Sequence, residues 1–190
     1  MARPLQALVR LGVAVLPPTI HPMVVHFPIA LLYLGAGAQG MALVTHSAQH
    51  DRFWDRAALW LLTLAGAAIA VAAAAGVISA ESVHLTPGTG ALLDAHQRDA
   101  ALTGVLALAS WVLQVSARFP ARGRSWPGSW SLGGTGRGRV TGAAFIAGAA
   151  AAVMVSITGT LGGSMVYRHC LGIPTRTCQT AAPPATAAPP

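Results

Sequence analysis

Four long apolar runs divide the chain, at about Pro22 to Thr45, Ala57 to Ser79, Asp99 to Ala117 and Val140 to Gly163. Crossing the hydrocarbon layer as a helix takes about 20 residues. Inside lipid every backbone N–H and C=O must be satisfied within its own segment, which leaves the helix as the only reasonable form for such runs. The pattern therefore predicts four spanning helices in an up-down bundle. The third run is the shortest and the most interrupted, since it carries Thr103, Ser110 and Gln114. No internal repeat is evident along the chain.

The two ends break this pattern. The opening MARPLQALVRLGVAVLPP has a short apolar core that stops at Pro17-Pro18. No clear small-x-small cleavage site precedes the first span, so residues 1–20 read as a short interfacial helix with its Val and Leu face on the membrane surface. The closing TAAPPATAAPP has no apolar periodicity and predicts a disordered tail over residues 174–190. Residues 21–173 are left as the transmembrane domain. The expected fold is all-α: an integral membrane four-helix up-down bundle with a short N-terminal interfacial helix and a Pro/Ala-rich C-terminal tail.

Composition agrees. The 190 residues are 54% hydrophobic and 9% charged, against roughly 25% charged in soluble domains. All twelve basic residues are arginine, and the net charge is +7. These arginines lie between apolar runs rather than in a basic soluble domain, which points to membrane topology and away from nucleic acid. Seven arginines fall in His46–Arg56 and Arg118–Arg139 and five on the other side. By the positive-inside rule both termini are expected outside the cytoplasm. No Gly-rich phosphate loop and no Ser-His-Asp arrangement occurs, which argues against an enzyme. The spans also lack the buried charge pairs of a transporter.

The candidate chemistry lies in the histidines. In HPMVVHFPIALL, Pro22 suits the first turn of a helix, and Pro28 should open the hydrogen-bond ladder near residue 24 and kink it. An up-down topology then gathers five of the seven histidines at one end, namely His21, His26, His84, His96 and His169, with His46 and His50 at the other. Bis-histidine haem b needs two imidazoles on facing helices at similar depth. His26 and His96 are the best pair by depth, roughly 13 and 18 Å above the midplane at a rise of ~1.5 Å per residue. His21 and His169 would lie nearer the surface, as partners of those ligands or as ligands of a second haem. A copper, zinc or iron site that enlists His84 and Asp94 is the alternative. The plain alternative is interfacial histidines that cap helices and bond one another. Three functions follow from these readings: an electron carrier, a metal-handling membrane protein, or an accessory subunit of a larger complex with no chemistry of its own. Cys170 and Cys178 lack a C-x-x-C-H context and so do not indicate covalent haem. They are expected as a disulfide in an oxidising compartment, or else as soft-metal ligands.

HPMVVHFPIALL and TGTLGGSMVYRHCLGI, with DAHQRDAALTG between them, resemble a bacterial family of small four-helix membrane proteins. That family is known as a domain of unknown function, number twenty-two thirty-one. The resemblance covers about Pro18 to Pro174. Its matched residues are His21, Pro22, His26, Phe27, Pro28, His96, Gly162, Gly163, Tyr167 and His169. Cys170 stands where the family pattern expects glycine, and Ser164 where a longer polar residue is common. The resemblance implies the fold, a multi-pass protein of a bacterial membrane; the arginine bias then makes the expected location the inner membrane with both termini periplasmic. It brings no established chemistry. The expected partners are the lipid bilayer and other membrane or periplasmic redox proteins.

Overall fold

A computed structural model describes residues 3–15, 17, 19–45, 53–83, 87–118 and 141–171. Among them are six helices and no strand: α1 (Arg3–Val15), α2 (Ile20–Val24), α3 (His26–Val44), α4 (Phe53–Ala80), α5 (Pro87–Arg118) and α6 (Gly142–Tyr167). α2 and α3 together make the first candidate span, Ile20–Val44, and α4 to α6 supply the other three. At 25 to 31 residues, each is long enough to cross a bilayer. The four-helix membrane bundle expected from the apolar runs is the fold observed.

Local chemistry sets the helix limits. Pro28 has no N–H to give to residue 24, and the first span breaks at Val25, between α2 and α3. Thr141 caps α6, its side chain accepting from the Ala144 N–H at 3.1 Å. The third span departs most from expectation. The shortest apolar run belongs to the longest helix, the 32-residue α5. The polar stretch Asp94–Asp99 is helical as well, and it lengthens the span beyond its apolar part.

α3 lies against α4, α4 against α5, α5 against α6 and α6 against α3, which closes the bundle. Packing is most extensive within the pairs α3–α4 and α5–α6, so the bundle is built from two hairpins. The seam between them mixes alanines, which let helix backbones approach in a membrane, with larger apolar side chains. Leu32, Leu62, Ala65, Ala107, Ala151 and Val155 form the central core, and Ala38, Ala58 and Ala144 continue it toward one end. Side-chain hydrogen bonds tie hairpin to hairpin, among them Tyr33 with Ser156, Trp111 Nε1 donating to Thr63 Oγ1 at 2.9 Å, and Gln39 Nε2 donating to Gln114 Oε1 at 3.1 Å. α1 packs beside the end of α4, with Gly12 against the Ile78 side chain.

Candidate functional site

The buried face of the first span runs through Pro28, Leu32, Gly35 and Gln39, and that of α5 through Thr103, Ala107, Ser110 and Gln114. These are heptad-like spacings of four, three and four. Seven residues back along the same stripes stand His21 and His96. Both side chains are half-buried, and both point across the bundle between diagonally opposed helices. Their ring centres lie 6.0 Å apart, with planes crossed at 89°.

Each imidazole is held by the other helix of its own hairpin. His21 Nδ1 lies 2.9 Å from the Ala72 carbonyl of α4, and His96 Nδ1 lies 3.0 Å from the Thr158 carbonyl of α6. A carbonyl only accepts, so in both rings Nδ1 carries the proton and donates. A neutral ring then keeps its lone pair on Nε2. Four residues beyond each carbonyl comes a glycine. A Cβ on Gly76 would come within 3.1 Å of the His21 ring, and one on Gly162 within 3.2 Å of the His96 ring. Both values are tighter than ordinary contact. The glycines therefore let each ring lie close against the backbone of the neighbouring helix, within reach of its carbonyl. An Nδ1–H bonded to a carbonyl, with Nε2 left as a base, is the arrangement of metal-ligating histidines.

The pair differs from the one chosen by depth. His26 is exposed on α3 and takes no part in the ring contact. Five residues past His21, it sits roughly 140° around the helix at ~3.6 residues per turn. His169 is exposed in the turn after α6. Asp94 is exposed, and Asp99 is engaged by Arg98 at 3.2 Å. His84 lies outside the described residues. Among the described residues no group of three or more His, Cys, Asp or Glu side chains could hold a metal. The density of glycine in the spans, Gly76 and Gly162 included, is legible in the sequence, but the Ala72 and Thr158 carbonyls that hold the rings are not. The available signal was the four-residue step from Ala72 to Gly76, which recurs from Thr158 to Gly162.

No described cysteine is a free thiol, and Cys178 lies outside the described residues. Cys170 has a φ of 57°, a left-handed conformation in which glycine is unstrained. That accounts for the glycine expected at this position.

Residues 17–175 match the model of a family described as "Predicted membrane protein (DUF2231)". No curated protein and no solved structure matches the chain.

Proposed function

We propose that this chain, which belongs to that family of predicted membrane proteins, is a small electron-transfer protein that binds b-type haem through His21 and His96. The observation that carries the reading is the histidine pair itself. Two imidazoles that share one metal, at about 2.0–2.1 Å per nitrogen, hold their ring centres roughly 6 Å apart, and 6.0 Å is the separation found. Two imidazoles also complete the protein's share of a haem iron, since the porphyrin supplies the remaining ligands. A bare copper or zinc ion asks for three or four protein ligands. The two rings come from different hairpins, so a planar macrocycle between the hairpins would have one imidazole on each face.

Bound there, haem supplies one-electron redox chemistry. The residues of this chain do the rest. His21 and His96 would hold the group through Nε2. The Ala72 and Thr158 carbonyls fix both rings and make them better bases. Gly76 and Gly162 let the rings reach those carbonyls, and the core around Leu32, Ala65 and Ala151 excludes water from one side of the site. The proposal includes an inner-membrane location in bacteria, suggested by the family resemblance, and the histidine end on the periplasmic side, suggested by the arginine distribution. Redox partners in the membrane or periplasm, an interfacial α1 and a Cys170–Cys178 disulfide belong to it too.

The test is the optical spectrum of the full-length protein, purified from haem-replete membranes. A Soret band with sharp α and β bands on reduction is expected. His21→Ala and His96→Ala should each abolish the low-spin spectrum, while His26→Ala should keep it. A colourless wild-type protein overturns the reading. Metal found in that colourless sample would favour the bare-ion alternative, and co-purifying subunits without metal would favour an accessory role.

A further inference from the structure

The burial pattern of the first span recurs in the third. Displaced by 75 residues, His21 falls on His96, Pro28 on Thr103, Leu32 on Ala107, Gly35 on Ser110 and Gln39 on Gln114. Both histidines are half-buried and the other four pairs are buried on both sides. The second and fourth spans match at a displacement of 86: Ala58 with Ala144, Leu62 with Gly148, Ala65 with Ala151 and Ala72 with Thr158, all buried, and Gly76 with Gly162, both partly so. The second shift is larger because the second hairpin has the longer connection. Five of these ten pairs are identical, His21 with His96, Gln39 with Gln114, Ala58 with Ala144, Ala65 with Ala151 and Gly76 with Gly162, and the rest correspond in burial and contact.

The contacts repeat as well. In each hairpin the histidine donates to a carbonyl of its partner helix and lies against the glycine four residues further on. At the far end Gln39 Nε2 donates to Gln114 Oε1 at 3.1 Å, so that pair also meets across the bundle. Equivalent residues meet each other at both ends. This requires a pseudo-twofold axis that runs along the bundle between them, with spans one and three parallel, as in parallel membrane repeats.

We propose that the chain is two copies of one histidine-bearing hairpin, and that His21 and His96 are equivalent ligands that meet a single iron on the pseudo-twofold axis with their planes crossed. The proposal rests on the haem reading and adds to it the number of centres, the equal standing of the two ligands and their mutual orientation. Each ring is fixed by its own hairpin, so the crossing angle is a property of how the hairpins dock. Gly76 and Gly162 are positioning residues of equal rank in this arrangement.

The experiment is titration of the full-length apoprotein in detergent with haemin, read by absorbance and by electron paramagnetic resonance of the oxidised form. Saturation at one haemin per chain is expected, with the highly anisotropic low-spin signal of crossed imidazoles. Gly76→Ala and Gly162→Ala should each shift that signal toward a different ring orientation or lose it. Gly66→Ala, whose Cβ meets nothing within 4 Å, should leave it unchanged. Two haemins per chain, the rhombic signal of parallel rings, or a loss confined to one of the two glycine variants would overturn this inference while leaving the haem reading intact. Failure to bind haemin at all overturns both, and the missing Soret band identifies that outcome.

Discussion

The two ends of the bundle place equivalent residues in equivalent positions and use them in opposite ways. At one end His21 and His96 spend one nitrogen each on a backbone carbonyl and keep the other. At the opposite end, roughly 27 Å away along α5 at ~1.5 Å per residue, Gln39 and Gln114 bond each other, Ser110 and the Asp55 carbonyl. Gln114 Nε2 donates to the Asp55 carbonyl at 3.2 Å, and Ser110 Oγ donates to the Ala144 carbonyl at 2.8 Å. Those carbonyls can only accept, so both amides are fixed in orientation. Gln39 must then donate twice, to Gln114 Oε1 and to Ser110 Oγ. Its own Oε1 has no hydrogen-bond partner among the described residues. It lies against Gly148, where a Cβ would collide with it. The glutamine end is a closed clasp and the histidine end an open pair. The difference lies in surroundings as well as in partners: the leftover Gln39 Oε1 is pressed against Gly148, whereas each imidazole commits only its Nδ1 to a carbonyl.

The sharpest way to break this comparison is to remove one residue from each end. His21→Leu should eliminate the low-spin haem spectrum, whereas Gln39→Leu should leave it in place, as optical titration with haemin would report. If both variants bind haemin alike, the contrast between the ends is lost. Next in size is Gly148→Ala. Alanine ordinarily favours a helix over glycine by about 1 kcal/mol, but overpacking against Gln39 should reverse the sign and cost about 1–3 kcal/mol. Equilibrium unfolding in mixed micelles measures it, and in a Gln39→Ala background most of the penalty should vanish. Gln114→Ala deprives one amide hydrogen of Gln39 of its acceptor and should cost about 1 kcal/mol, with the haem spectrum unchanged. Smallest is Trp111→Phe. It deletes the bond to Thr63 on the lipid-facing side and should cost about 0.6 kcal/mol, the average for such bonds in membrane bundles. A loss as large as that of Gly148→Ala would show that the seam, not the axis, holds the hairpins together.

Much of the fold was legible because hydropathy and helix length are one-dimensional quantities. The four spans, the break before Pro28 and the helical form of Gly142–Tyr167 all follow from composition along the chain. The start of α5 was not legible in that way, because Asp94–Asp99 is polar and helical at once. The site was half legible. Topology gathers histidines at one end, but depth alone cannot choose among them, since depth ignores which way a residue faces. The heptad stripe decides that. Counting back seven from Pro28 and from Thr103 reaches His21 and His96, and His26 falls off the stripe. The hairpin correspondence was not legible from the sequence alone, because its matched positions are scattered at unequal shifts of 75 and 86 and include unlike pairs such as Leu32 with Ala107 and Gly35 with Ser110.

One feature of the histidine end bears on how the protein is made. His21 is tethered to α4 and His96 to α6, each within its own hairpin. Membrane helices form first and associate afterwards, so each hairpin can orient its imidazole as soon as its two helices pair. The histidine pair itself comes into being only when the hairpins dock. A ligand held by both rings therefore binds the assembled state alone and stabilises it by mass action. Newly inserted protein that lacks the ligand should be the form in which the two halves separate most readily, and the form that membrane proteases clear.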